Sequence, residues 1–91
     1  MREQIAIFRF RLSNSQTIGP ASLKKLWSRA CESNDVSVTR VASGFGYGER
    51  GYVYSLWAAP SLRDIMAIET QLLNLLQAVL PAATITLTQL R

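Results

Sequence analysis

The stretch Val36–Ala58 reads VSVTRVASGFGYGERGYVYSLWA and decides the fold class of this chain. Its two ends, Val36–Ala42 and Tyr52–Ala58, are rich in the β-branched and aromatic residues that favour strands. The segment between them, Ser43–Gly51, holds four of the five glycines in the chain. Because glycine supplies the turn conformations found between strands, the stretch predicts two consecutive strands joined by a flexible loop.

One helix and one further strand lie on each side of these two strands. The helix before them begins with Pro20, whose missing N–H costs nothing at the first helical position. The helix after them begins where Ser61 and Asp64 resemble a capping box, and Pro81 ends it. The predicted elements are, in order, strand Gln4–Leu12, helix Pro20–Ser33, strand Val36–Ala42, strand Tyr52–Ala58, the second helix and strand Thr84–Leu90.

The order βαββαβ within 91 residues predicts one ferredoxin-like domain of the α+β class, residues 1–91. Right-handed crossovers give this order a four-stranded antiparallel sheet with both helices on one face, which leaves the other face open. In the first strand, side chains alternate between the two faces, and burying unpaired arginines would be costly. The predicted core set is Ala6, Phe8, Phe10 and Leu12, and the predicted open-face set is Ile5, Ile7, Arg9 and Arg11.

Each predicted helix carries one apolar stripe at the spacing of a helix that is buried on one side. The first stripe includes Cys31, which we therefore expect to be a small core residue. Lys24, Lys25 and Arg29 fall outside that stripe, where a solvated face or a patch for an acidic partner is expected. The stripes are Leu23, Leu26, Trp27, Ala30 and Cys31 in the first helix, and Ile65, Ile68, Leu72, Leu75, Leu76 and Val79 in the second.

The residue types that the chain lacks exclude several classes of function. It has no histidine, so a Ser-His-Asp triad, a Cys-His dyad and a His-ligated zinc are excluded. Its single cysteine cannot form an intrachain disulfide, and its six carboxylates show no paired spacing typical of acid–base catalysis. No stretch resembles a membrane span or a secretory signal. We therefore expect a cytoplasmic protein that is not an enzyme, with no catalytic and no metal-ligating residue.

The distribution of charge bears on the partners of this protein. The net charge is +4, and residues 1–60 carry eight Lys or Arg against four acids. Such a domain is compatible with anionic partners, and equally with ordinary solubility. The second helix has no charge from Thr70 onward. With Ile5 and Ile7 expected on the open face, we expect another copy of the chain to cover apolar surface.

The second strand and the glycines that follow it form the most distinctive motif. Val38-Thr39-Arg40-Val41 runs toward Gly44-Phe45-Gly46, and the first strand begins Ile5-Ala6-Ile7-Phe8-Arg9. Together these segments resemble the PII-type signal-transduction proteins and their PII-like relatives. The resemblance implies a non-enzymatic regulatory protein that assembles as a homo-oligomer, a trimer being favoured over a dimer. It also implies signalling to a regulated protein through the loop Ser43–Gly51.

The same resemblance implies a site for an adenine nucleotide, ATP, ADP or AMP, or for a small anion, at clefts between subunits. Backbone N–H groups of the Gly-Phe-Gly motif would approach the phosphates and the ribose, and Ile7 would pack against the base. Either Ser37 or Thr39 would lie near the adenine edge. Arg50 is added for its chemistry, because a guanidinium in this loop can bind phosphate oxygens in a bidentate way. The candidate nucleotide-binding residues are Ile7, Ser37, Thr39, Gly44, Phe45, Gly46 and Arg50.

Two alternative functions stay open at this point. The stretch Arg50–Trp57 loosely matches the RNP1 pattern of RNA-recognition motifs, which share this element order. In that fold Phe8 would stack on RNA from the open sheet face, which would turn Arg9 inward, so nucleic acid is not the favoured partner. The other alternative is an oligomeric protein-interaction module that binds no small ligand.

Overall fold

The computed structural model of the chain describes residues 3–13, 16–45 and 49–90. Its elements follow the predicted order βαββαβ. Both central strands extend three residues further than predicted, into the glycine-rich segment. The elements are β1 Ile5–Leu12, α1 Pro20–Cys31, β2 Val36–Phe45, β3 Glu49–Ala58, α2 Ile65–Val79 and β4 Ile85–Gln89.

The four strands form one antiparallel sheet in the order β2-β3-β1-β4. The helix α1 packs against α2 and against β2, and one core of buried side chains joins both helices to the sheet. The ferredoxin-like α+β fold predicted from the sequence is confirmed. Within the described residues, neither helix is long and apolar enough to cross a membrane.

Aromatic rings fill the centre of the core between the helices and the sheet. Trp27 of α1 meets Phe8 of β1 edge to face, with ring centroids 5.8 Å apart. Phe10 of β1 stacks on Tyr54 of β3 at 4.7 Å. Aromatic pairs of this kind add about 0.5–1.5 kcal/mol beyond the burial of their area. All four rings are at most 1% exposed, so they fix α1 against the two middle strands.

The apolar stripes of the helices face this core largely as predicted. Val79 is the exception, because it is the last residue of α2 and its side chain is 51% exposed. The charged residues of α1 that were placed outside the stripe are exposed. The stripe residues that are buried are Leu23, Trp27 and Ala30 in α1, and Ile68, Leu72 and Leu76 in α2.

A β-bulge in β1 changes which side chains reach the core. The pairing of β1 with β3 shifts between Ala6, which pairs with Trp57, and Phe8, so Ile7 is an extra residue. Ile7 is 1% exposed and belongs to the core, and Ile5 packs against it. The prediction that both isoleucines lie on the open face, with Ala6 in the core, is therefore wrong. A bulge inserts one residue into one strand and so breaks the alternation on which that prediction rests.

The start of α2 also differs from the prediction. Asp64 is the N-cap residue, but its φ of 56° is left-handed and no side-chain hydrogen bond caps the helix. A capping side chain reaches the first N–H groups of a helix from an extended backbone, and Asp64 does not have one. The predicted capping box of Ser61 and Asp64 is therefore wrong, although the helix begins next to it, at Ile65.

Candidate ligand-binding site

The two ends of the glycine-rich segment belong to the strands β2 and β3. β2 and β3 pair without interruption as far as Phe45, and Gly44 lies opposite Arg50. Both ends of the predicted loop Ser43–Gly51 therefore belong to the ladder. The predicted extent of the loop is wrong, because the pairing of the two strands continues through Gly44. Gly46 lies outside the described residues. The role of these residues in phosphate binding stays a prediction.

The side chain of Ile7 lies away from any ligand surface. It is 1% exposed and packs within the core on the helix side of β1. A ligand on the surface of the described chain therefore cannot pack against it without opening the core. The bulge that places Ile7 there cannot be recognised in the sequence, because the pattern of this segment predicts an uninterrupted strand.

Ser37 and Thr39, the two alternatives for the adenine edge, lie together on the open face of β2. Ser37 pairs with Trp57 across the ladder, and Thr39 pairs with Ser55. The indole Nε1–H of Trp57 donates a hydrogen bond of 3.1 Å to the hydroxyl of Thr39. The hydroxyl of Ser37 donates one of 2.6 Å to Oε1 of Gln4. The structure thus brings both candidates to one polar surface.

Arg9 extends this surface to a third strand. It pairs with Ser55, which pairs on its other side with Thr39. Because neighbouring strands are about 4.8 Å apart, the row from Thr39 to Arg9 spans about 10 Å. Trp57 is a diagonal neighbour of Arg9, at a spacing that aromatic and long side chains bridge. We refer to Arg9, Thr39, Ser55 and Trp57 as the open-face cluster.

The open-face cluster combines three kinds of binding chemistry. Arg9 is exposed, and its guanidinium offers a planar fork of donors that suits phosphate and carboxylate. Thr39 is exposed and Ser55 is half-buried, and each has a hydroxyl that donates and accepts. Trp57 is half-buried, and its hydrogen bond to Thr39 fixes the orientation of the indole. The arrangement can bind a ligand that carries both a planar ring and an anionic group.

Sequence reasoning assigned two members of this cluster no role. Arg9 was correctly predicted on the open face, but nothing in the sequence paired it with a residue of another strand. Alternation placed Trp57 opposite to Tyr54 without saying which of them is buried, and the structure buries Tyr54 to 1% exposure. The alternation of side chains along β3 therefore showed that Trp57 and Tyr54 lie on opposite faces of the sheet. Only the register of β1, β2 and β3 shows that Trp57 lies beside Arg9 and Thr39.

The aromatic residues of the RNP1-like stretch face the helices. Tyr54 and Phe8 are at most 1% exposed, and Tyr52 packs against the edge of the same core. On that side Tyr52 also lies under the guanidinium of Arg40, with Cζ 4.2 Å from the ring centroid. Stacking of bases on Tyr54 or Phe8 would require the open face, so the RNA-recognition arrangement is wrong for these two side chains.

A second basic surface lies on α1. Its three cations are exposed and line an open groove along one side of the helix. Within the described residues, no buried polar side-chain atom lacks a hydrogen-bond partner, so no such atom is aimed into this groove. A solvated charged face and a patch for an acidic partner both stay predictions for this groove. It is lined by Ala21, Lys24, Lys25, Ser28, Arg29 and Asn34.

Cys31 is half-buried at the end of α1 and packs against the core, as predicted. Burial disfavours the thiolate and raises the pKa of the Cys31 thiol to about 12. The thiol is thus protonated at neutral pH, the form that is inert as a nucleophile and as a metal ligand. In the part of the chain that the structure describes, no group of three or more His, Cys, Asp or Glu residues is arranged to hold a metal ion.

Comparisons with protein-family models, with curated proteins and with solved structures found no match to this chain. The resemblance to PII-like proteins therefore rests on the motif residues alone.

Proposed function

We propose that this chain is a cytoplasmic, non-catalytic regulatory protein that binds an adenine nucleotide through its open-face cluster. The ligand class and the regulatory role are those that the PII-like resemblance implies. The site differs from the one expected from the motif, since it lies on the sheet and does not involve Ile7. One observation carries the proposal: Arg9, Ser55 and Thr39 form a continuous row over three strands beside the indole of Trp57.

Each part of an adenine nucleotide has a matching group in this row. The indole of Trp57 offers a ring surface for the base, and the hydroxyls of Thr39 and Ser55 offer donors and acceptors for its polar edge. The guanidinium of Arg9 binds phosphate oxygens as a charged donor. Arg11, exposed on the same face, adds positive charge that favours an anion. The proposal is non-catalytic because a chain without histidine offers few groups that transfer protons near neutral pH.

The site also connects to the segment that the resemblance assigns to signalling. Thr39 lies in β2 and Trp57 in β3, and these two strands continue as a paired hairpin to Phe45 and Glu49. A ligand that bridges the base of this hairpin restricts its movement relative to β1. The end of the hairpin would then present a different surface to a regulated protein.

The test is a titration of ¹⁵N-labelled protein with ATP, ADP, AMP and inorganic phosphate, followed by nuclear magnetic resonance. The two indole N–H signals report on the site and on the core, and Trp57→Phe assigns them. We expect the Trp57 signal to shift with a nucleotide and the signal of Trp27 to shift less. A flat titration up to about 5 mM, which corresponds to a binding free energy weaker than about 3 kcal/mol, would overturn the proposal.

Arg9→Gln and Arg40→Gln form a matched pair for the same titration. Each removes one exposed arginine, but Arg40 lies on the helix side of the sheet, over Tyr52. We expect Arg9→Gln to weaken nucleotide binding about tenfold, the loss typical of one charged hydrogen-bond partner, and Arg40→Gln to change it less than about twofold. Equal effects of the two variants would mean non-specific attraction to positive charge and would contradict the site.

Two further measurements separate the alternatives. If Gly46→Val abolishes binding and Arg9→Gln does not, the nucleotide lies at the Gly-Phe-Gly motif, as the resemblance implies, and the open-face cluster is the wrong site. If single-stranded RNA binds much more tightly than any mononucleotide, with a steep salt dependence, the partner is nucleic acid.

A further inference from the structure

The strand β4 lies at one end of the sheet. It is the last strand in the order β2-β3-β1-β4, and within the described residues it pairs with β1 alone. The N–H of Leu90 bonds the carbonyl of Ile7 at 2.8 Å, and that of Ser13 bonds the carbonyl of Thr84 at 3.0 Å. In an antiparallel ladder the backbone N–H and C=O groups of successive residues point alternately toward and away from the neighbouring strand. The backbone groups of residues 84, 86, 88 and 90 therefore point toward β1. The backbone groups of Ile85 and Leu87 therefore point away from the sheet.

This edge lacks the charges, prolines and bulges with which many proteins block pairing between sheets. The segment Thr84–Leu90 reads TITLTQL and contains no charge and no proline, and β4 pairs with β1 in continuous register without a bulge. It is rich in β-branched residues, which favour strand pairing. The other edge of the sheet, β2, carries the exposed Arg40. Of the two edges, β4 is thus the one built to accept another strand.

The charge pattern indicates which partner fits this edge. No described cation lies on β4 itself: Arg9 and Arg11 are on the neighbouring strand β1, three more are on α1, Arg40 is on β2, and Arg63 precedes α2. From Thr70 to Leu90, which covers most of α2 and all of β4, the chain has no charged residue. When two copies meet through β4, the arginines of their β1 strands stay three strand spacings, about 14 Å, apart, which is more than the Debye length of about 8 Å at physiological ionic strength. An acidic partner would instead be drawn to the basic surfaces.

One exposed apolar side chain borders this edge, because Leu90, the residue after β4, is 38% exposed. A second copy that pairs with β4 would cover it in addition to the strand edge.

We infer that β4 pairs with β4 of a second copy of this chain, antiparallel about a twofold axis at Leu87. A twofold axis there pairs the whole strand Ile85–Gln89 with its copy, whereas a shift in either direction leaves part of it unpaired. The product is a dimer with one continuous eight-stranded sheet. Its two open faces lie side by side, so both copies of Arg9 are on the same surface. This inference does not depend on the proposed ligand.

The register makes a specific claim about side chains. Thr86 of one copy lies opposite Thr88 of the other, twice per dimer, as a close pair without backbone hydrogen bonds between them. Both threonines are exposed, and in their own chain Thr86 pairs with Arg11 and Thr88 with Arg9. Glutamate at both positions would therefore lie opposite an arginine within each chain, which is favourable. Across the dimer the same glutamates would lie opposite each other, and these like charges would repel.

The test is sedimentation equilibrium of the full chain from about 1 µM to about 1 mM, the range in which weak interfaces associate. For the wild-type chain we expect a mass that rises toward about 20 kDa, twice the 10.1 kDa of one chain. Thr86→Glu/Thr88→Glu should raise the dimer dissociation constant about tenfold or more. Thr86→Glu/Thr88→Lys, which places opposite charges across the axis, should retain the dimer.

Ala21→Glu/Ser22→Glu is the matched control for charge. It lowers the net charge by the same amount at two exposed positions of α1, far from β4 in the sequence, and should leave the dimer intact. Circular dichroism checks that every variant is folded. A wild-type chain that stays at 10 kDa, a trimeric mass, or equal behaviour of the two Thr86/Thr88 variants would each overturn the inference.

Discussion

The hydroxyl of Tyr54 accepts a hydrogen bond of 3.0 Å from the backbone N–H of Ile18, 36 positions away in the chain. The two residues are 1% and 8% exposed. The bond joins the middle of β3 to the segment that enters α1, and α1 then presents Trp27, whose indole donates to the carbonyl of Trp57 at 2.8 Å. Because Trp57 belongs to the open-face cluster, this chain of contacts connects the buried core to the candidate site.

The first prediction concerns this buried hydrogen bond. Tyr54→Phe keeps the ring that stacks on Phe10 but leaves the N–H of Ile18 without its acceptor inside the protein. A buried donor that loses its partner costs about 1–3 kcal/mol, so the free energy of unfolding should fall by that amount. Thermal unfolding would show a decrease of about 4–8 °C for each kcal/mol in a domain of this size.

Tyr52→Phe is the control for this measurement. Tyr52 is half-buried at the edge of the core, and the change keeps the ring under Arg40. We expect its free energy of unfolding to stay within about 0.5 kcal/mol of the wild-type value. If the two variants melt at the same temperature, the Tyr54 hydroxyl contributes no stability.

The second prediction concerns the end of α1. Glu32 is the C-cap residue, with φ 53° and ψ 41°, a left-handed conformation that crowds the Cβ atom of any residue except glycine. Glu32→Gly should therefore raise the free energy of unfolding by about 0.5–1 kcal/mol, the relief of strain less the added entropy of the unfolded chain. Urea denaturation measures the change. Glu32→Ala keeps the Cβ atom and should give no such gain, and an equal gain from both variants would contradict strain at this position.

The third prediction concerns the thiol of Cys31 and pH. Its pKa is raised from 9.0 to about 12 by burial, whereas the thiol of the unfolded chain loses its proton near the ordinary value. Below pH 9 both states are protonated, and the thiol adds no pH dependence. Above it the unfolded state ionises first, so the free energy of unfolding decreases as the pH rises from about 9 toward 12.

Comparison with Cys31→Ala isolates this effect from other groups that titrate in the same range. The stability of the wild-type chain should fall relative to the variant as the pH rises from 8 to 10.5, measured by denaturation in urea. Parallel curves for the two proteins would show that the thiol has the same pKa in both states. At neutral pH the folded thiol should also react with an alkylating reagent more slowly than the thiol of the urea-unfolded chain.

Local patterns in the sequence predicted most of the fold, and the failures have physical causes. The two strands around the glycines and the stripe through Leu23 and Trp27 are signals that depend only on residues near each other in the chain. The failures at Ile7 and Asp64 are of another kind. The bulge in β1 arises from its pairing with β3, a distant segment of the chain. The left-handed backbone of Asp64 depends on the direction in which the chain runs into α2.

The candidate site was less accessible to such reasoning. Ser37 and Thr39 were selected through the resemblance to PII-like proteins, and either of them was expected to lie near the adenine edge. The structure puts both on one surface because they are two residues apart in the same strand. Arg9 and Trp57 carry no motif, and they become neighbours of Thr39 only through the register of β1, β2 and β3.

The sequence by itself determined the element order, the helix faces that are buried, and the absence of histidine chemistry. These follow from composition and from periodicities that repeat over a few residues. The tertiary structure alone decided that Ile7 turns inward, that both ends of the glycine-rich segment extend the ladder, and that Arg9 lies in a row with Ser55 and Thr39. Each of these depends on which residues of distant strands lie opposite one another, and pairing across strands is a property of the folded sheet.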